Sequence, residues 1–169
     1  LARLNGLVNL GAIAFARHDF ATAAQTFNEG LQIANRACWP REIAMCQNNL
    51  GQALLGAGQA HKGIEQLMAA RRLATDLDLA DIHSDASRAL ADGMFDQDRP
   101  KALRYANEAV RAARTAGSVP LELAARLTAL KVDGDKSQHL AAAARLLREN
   151  GEDSRADALL QEYSSSCKM

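Results

Sequence analysis

Three observations predict an all-α fold of antiparallel helix hairpins stacked in series. Apolar residues make up 48% of the 169, yet Ala supplies 35 and Leu 23 of them against nine for Ile and Val together, so the core is written in helix formers with few β-branched residues. Apolar positions recur at spacings of three and four, the period of a helix that buries one face. Asn9-Leu10-Gly11 returns forty residues on as Asn49-Leu50-Gly51, which marks a repeated unit. An all-β domain is excluded, and the chain is long enough to bury a real core.

The first unit, 2–36, holds predicted helices 2–17 and 20–36, parted at Arg17-His18-Asp19, with an apolar stripe of Ala23, Ala24, Phe27, Gly30, Leu31 and Ala34. The second, 41–76, has helices 41–56 and 59–76, breaks at Gly56-Ala57-Gly58, and repeats the stripe as Gly63, Ile64, Leu67, Ala70, Arg71 and Ala74. Arg71 is its one member that is neither apolar nor small. The third, 80–117, has helices 80–96 and 99–116 around Asp96-Gln97-Asp98; Leu90-Ala91 is followed by Ala102, Leu103, Ala106, Ala109, Val110 and Ala113, with Ala89 where the asparagine stood. The fourth, 120–150, has helices 120–132 and 136–150 around Asp133-Gly134-Asp135 and keeps Leu140, Ala143, Ala144 and Leu147. A last helix, 153–164, carries Ala156, Leu159, Leu160 and Tyr163 on one face and is predicted to cap the array as part of the same single domain.

The breaks carry the Asp and Gly of helix caps and turns. Pro40, Pro100 and Pro120 fall at predicted boundaries, where a missing N–H costs nothing. Gly11, Gly51 and Ala91 on the first helices, and Ala23, Gly63 and Ala102 on the second, are predicted to let paired backbones approach. Phe15, Phe20, Phe27, Leu54, Leu67 and Phe95 then fill the space between pairs.

Leu-Gly on the first helix, a small residue opening the second, an aromatic or Leu four positions later and a small residue three further on resembles the tetratricopeptide repeat. The variant it is similar to has long helices and a 40-residue spacing, as in kinesin light chains and in sensor arms of large bacterial regulators. The similarity is closest over 4–76, weaker over 80–117 and weakest over 120–150; the family's aromatic near the end of the first helix is replaced by Ala14, Leu54 and Met94. The resemblance implies a right-handed superhelix whose first helices line a concave groove. It also implies a non-enzymatic module that binds an extended protein or peptide segment there, in the sensor or scaffold arm of a bacterial signalling or transcription regulator.

On the repeat register the groove positions are Asn5, Val8, Asn9, Ala12 and Phe15, then Met45, Asn48, Asn49, Gln52 and Leu55, then Asp85, Arg88, Ala89, Asp92 and Phe95. The candidate binding set is Asn5, Asn9, Asn48, Asn49, Gln52, Asp85, Arg88, Asp92 and Asp96. Asn9 and Asn49 are equivalent, and a carboxamide, with donor and acceptor together, suits an extended peptide backbone; the alternative is that both satisfy neighbouring helices or face water. Between Asp76 and Asp98 stand seven aspartates and one basic residue, Arg88, and Asp85, Asp92 and Asp96 fall on one stripe. That stripe either selects a ligand with basic side chains or is an ordinary solvated face, neutralised in part by the basic residues of 99–114.

No catalytic, metal-ligating or cofactor-binding set is expected. Gly56-Ala57-Gly58 lacks the lysine and strand context of a phosphate loop. His18, His61, His83 and His139 fall in different units without ligand spacing and read as turn or surface residues. Trp39 reads as a plug over adjacent helix ends, with a partner contact as the alternative. Twenty basic residues balance twenty acidic ones, so direct nucleic-acid binding is not expected. No apolar run approaches the roughly 18 residues of a membrane span. Cys38, Cys46 and Cys167 lack paired spacing and are expected to be reduced thiols in a cytoplasmic protein, and the opening on Leu1 rather than Met reads as a fragment of a longer one. Two other functions stay open: a structural or oligomerisation array that self-associates through its N-terminal end, and a small-molecule or pheromone-peptide sensor.

Overall fold

The computed structural model describes residues 1–133 and 137–166. Within them run α1 (Ala2–Ala16), α2 (Phe20–Arg36), α3 (Pro40–Gly56), α4 (Ala60–Asp76), α5 (Ala80–Met94), α6 (Arg99–Thr115), α7 (Val119–Val132), α8 (Ser137–Glu149) and α9 (Asp153–Ser166), with no strand among the described residues. Connections of a few residues fold each helix back on the one before it. None of the described helices is long and apolar enough to cross a membrane.

The first four turns share one construction. His18, Cys38, Gly58 and Asp78, spaced by twenty residues, all take a left-handed conformation, with φ of 60°, 53°, 76° and 54°. The N–H of the next residue then reaches back five positions, from Asp19 to Ala14, Trp39 to Ala34, Gln59 to Leu54 and Leu79 to Ala74, at 2.8–3.1 Å. Orphan carbonyls at each helix end are thereby satisfied. Three of the four residues are not glycine and carry the steric cost of that conformation, about 1–2 kcal/mol each. Asp19 and Asp98 cap α2 and α6 through Thr22 N–H at 3.2 Å and Lys101 N–H at 3.0 Å.

Small residues set the distance within each hairpin. A Cβ on Gly51 would lie 2.6 Å from Leu67 Cγ and 3.0 Å from Gly63 O, and one on Gly63 would lie 2.9 Å from Gly51 O. In the first hairpin the ring of Phe27 lies against Gly11, where a Cβ would meet it at 2.6 Å. Ala91 and Ala102 are fully buried in the third. Between hairpins, α3 touches α5 and α5 touches α7, whereas α2, α4, α6 and α8 make no comparable contact with one another among the described residues. The first helices of the hairpins, α3, α5 and α7, therefore form the inner layer, and the second helices stand apart on the outside.

Some expectations change. Helix α5 ends at Met94, two residues earlier than its apolar period suggests, because the chain turns through Phe95–Gln97 so that Asp98 can cap α6; Asp96 thus leaves the helical stripe. Ala89 is buried in the core with Leu90 and Tyr105 instead of facing the groove. His18 and His61 are exposed, but His83 is half-buried between helices and His139 is buried, so neither is a turn or surface residue. Trp39 is half-buried against the core of the first two hairpins. Cys38 and Cys46 are free thiols, and burial, with Glu42 nearby, pushes the Cys46 thiol up to about 11. Gly134 and Asp135 of the fourth break, and Cys167, lie outside the described residues.

Gly6, within α1, has nothing within 4 Å of where a Cβ would stand, and neither has Gly58. Gly6→Ala is therefore expected to keep or raise the melting temperature by relieving glycine's helix penalty of about 1 kcal/mol. Gly58→Ala should lose about 1 kcal/mol to its positive φ, and Gly51→Leu about 3 kcal/mol or more by overpacking. Melting curves by circular dichroism in which Gly58→Ala and Gly51→Leu coincide would contradict this packing register.

Candidate functional site

The inner faces of α3 and α5 bring six of the nine candidate residues into one group. Asp85 is its centre. Its Oδ2 accepts from Asn48 Nδ2 and from Gln52 Nε2, each at 2.9 Å, while its Oδ1 accepts from Arg88 Nη2 at 2.8 Å and Nε at 3.2 Å. Arg88 Nη2 also donates to Gln52 Oε1 at 3.3 Å, and Nη1 reaches Asp92 at 3.5 Å. Helical spacing makes this possible: Asn48 and Gln52 lie one turn apart on α3, and Asp85, Arg88 and Asp92 follow at three and four residues on α5. Burial alone would raise the Asp85 carboxyl, but the Arg88 charge and the hydrogen bonds from Arg88, Asn48 and Gln52 bring it below its ordinary value. The carboxylate stays ionised and its charge is matched by Arg88.

Asn48 is only 4% exposed and joins the two hairpins. Asn49, half-buried, accepts from Asn48 Nδ2 at 3.4 Å through Oδ1, and its Nδ2 has no protein partner among the described residues. Beside it lies an open hollow of about 210 Å³ lined by Ala12, Phe15, Phe27, Asn49, Gln52 and Asp85. One wall is thus apolar and rigid, with Phe27 locked against Gly11, and the rim carries carboxamides. Asp92 is also met by Lys131 at 3.6 Å. Asn5 and Asn9 are exposed on α1 and do not join the group, and neither does Asp96, in the turn after α5.

A second network lies on the outer side. Glu108 on α6 accepts from Arg71 Nε on α4 at 2.9 Å and is 2.6 Å from His83 Nε2 on α5. It borders a hollow of about 430 Å³ that Thr75, Asp78, Arg111 and Thr115 also line. Burial works to raise the Glu108 carboxyl, and the hydrogen bonds and charges of His83 and Arg71 override it, holding it at about 2. Sequence reading passed over this network, although its signal was present: Arg71 is the charged exception in the apolar stripe, and its guanidinium lies over the Tyr105 ring, 5.4 Å from the centroid.

No family model matches the chain, and no curated protein sequence does. Solved structures do. The apo form of RapI is similar with a TM-score of 0.71 at 12% identity over 98% of this chain, and aspartyl phosphate phosphatase F from Bacillus subtilis with 0.69 at 12% over 98%. This chain spans 60% and 49% of those two. A Podosopora anserina protein of nearly identical TPR-like repeats gives 0.57 at 13%, covering 96% of this chain and 94% of its own. The fold is a tetratricopeptide-like α-solenoid.

In the folded chain the Glu108 carboxyl is held at about 2, against an ordinary value of 4.5. Its contribution to stability is complete above the upper value and fades as pH falls toward the lower one. Glu108→Gln is expected to flatten that part of the curve of melting temperature against pH. Superimposable acid limbs for wild type and Glu108→Gln would show that the Arg71–Glu108–His83 network does not couple to folding.

Proposed function

We propose that this chain is a non-enzymatic protein- or peptide-interaction module that holds an extended segment along its inner face, as the sensor or scaffold arm of a bacterial cytoplasmic regulator. The observation that carries the reading is the hollow beside Asn49. Its rim offers an unspent carboxamide donor for a ligand carbonyl, and its wall of Ala12, Phe15 and Phe27 offers an apolar seat for one side chain. A volume of about 210 Å³ suits a side chain, not a folded partner. The Asp85 network keeps the rim rigid, so little side-chain entropy is lost on binding. Arg88 and Lys131 already meet Asp85 and Asp92, so shape and backbone hydrogen bonding select the ligand more than its basic charge does. The similar structures support the fold on which this reading rests. One of them is named a phosphatase, and at 12% identity that likeness carries fold alone.

One observation favours a structural array as the second reading. Leu10 and Ile13 on α1 are 60% and 51% exposed, whereas Leu50, the equivalent of Leu10, is 6% exposed against α2, and Leu90 is fully buried. The face that α3 and α5 use to stack on a preceding helix is therefore open on α1, which suits a further helix or a second copy.

Extended peptides selected on the immobilised chain separate the readings. Asn49→Ala is expected to weaken their binding by about 1–2 kcal/mol with melting unchanged. Lowered melting with unchanged affinity would make Asn49 structural. Peptide selection that fails, together with self-association abolished by Leu10→Glu, would favour the array.

A further inference from the structure

The outer helices stand apart, and the groove between α6 and α8 gathers cations. Arg114 from α6, Arg126 from α7 below, and Gln138 and Arg145 from α8 line about 320 Å³ over Ala141 and Ala142. A single oxygen organises two of the guanidiniums: Glu122 Oε1 accepts from Arg114 Nε at 2.9 Å and from Arg126 Nε and Nη2 at 2.9 and 2.7 Å. The Arg126 side chain is 4% exposed, so this arrangement is built into the hairpin contact and does not arise by chance meeting of surface chains. Arg145 stands opposite, and its partner Glu149 is an exposed neighbour at 3.4 Å, where solvent screens the pair.

Arg114 and Arg126 thus share the Glu122 carboxylate, and Arg145 meets only the exposed Glu149, so the groove itself holds three guanidiniums against one carboxylate. Arg114 Nη1 and Nη2 and Arg126 Nη1 have no acceptor among the described residues, and guanidinium N–H groups fixed side by side match the oxygens of a phosphate. The field extends to buried His139. Burial chiefly lowers its imidazole, Asp133 pulls it up, and Arg126 and Arg114 push it further down. With Glu149 exposed to solvent and its pairing screened, the groove's own surplus is two positive charges, which a dianion balances and a monoanion halves.

We propose that the α6–α8 groove binds a phosphate dianion, either free phosphate or a small phosphomonoester. The site lies on helices other than the α3 and α5 pair that carries the inner face, so it stands independently of the peptide reading. It ties the third hairpin to the fourth through an anion that Arg114, Arg126 and Arg145 reach from three different helices.

Calorimetric titration of the full chain with inorganic phosphate, at low salt and above the second ionisation of phosphate, tests this. Saturable one-to-one binding is expected, weakened about tenfold in Arg145→Gln with melting unchanged, and partly restored in Arg145→Lys, which keeps the charge but not the fork. Acetate at equal ionic strength should not displace phosphate. O-phosphoserine as second titrant assigns the source: tighter binding than phosphate points to a phosphomonoester, weaker binding to the free ion, and both uphold the site. Equal phosphate affinity in wild type and Arg145→Gln, no saturable heat, or displacement by acetate would overturn it.

Discussion

The close approach of α3 and α4 at Gly51 and Gly63 is the constraint on which the array turns. Each glycine faces the other's backbone carbonyl at a distance that leaves no room for a side chain larger than hydrogen. With α4 seated so closely, α3 can touch α5 along the inner layer, and only then do Asn48 and Gln52 come within hydrogen-bond reach of Asp85. The first hairpin meets the same requirement with different parts, the flat ring of Phe27 lying on Gly11, and this places the aromatic wall beside Asn49. Backbone packing and the candidate site are therefore consequences of one spacing.

Charge follows the same geometry. The run from Asp76 to Asp98 looks like a solvated acidic face, yet most of its carboxylates are bound to another part of the chain. Arg41 holds Asp81 at 2.6 Å, Arg88 and the α3 carboxamides hold Asp85, Arg88 and Lys131 hold Asp92, and Lys101 holds Asp98 at 3.0 Å. Arg41 and Asp81 are forty residues apart, Asn48 and Asp85 thirty-seven, Arg71 and Glu108 thirty-seven. A separation near one repeat is what stacking of successive units brings together, so these pairs act as staples between hairpins. A balanced net charge thus conceals an internal pairing scheme, with the surplus cations of the α6–α8 groove as its exception.

The repeat was legible because small residues at Gly11, Gly51 and Ala91, and at Ala23, Gly63 and Ala102, are few, fixed in spacing and costly to replace. Helix boundaries were less so. Gly58 announces a left-handed turn, whereas Cys38 and His18 adopt the same conformation with no cue in their side chains; the twenty-residue interval through Asp78 was the available signal. Asp96 was drawn into the α5 stripe because a period of three and four continues past a helix end when the following turn is also acidic. The site was partly legible: register placed Asn48, Asn49, Gln52, Asp85, Arg88 and Asp92 on the lining helices. It did not separate Asn48, which spends its donors within the protein, from Asn49, whose donor remains, since that difference arises from the approach of α5. Asn9 shares the register of Asn49 but stands exposed on α1, away from the Asp85 group.

The central claim is that the inner face of α3 and α5, with the hollow beside Asn49, is where a partner is held. Backbone-amide NMR of the chain titrated with a selected extended peptide tests it most directly. The account predicts that the largest shifts fall at Ala12, Asn49, Gln52 and Asp85, with α2 and α4 little moved outside Phe27. Shifts confined to the outer faces of α4, α6 and α8 or to Leu10 and Ile13 on α1, with the inner face unmoved, would contradict it.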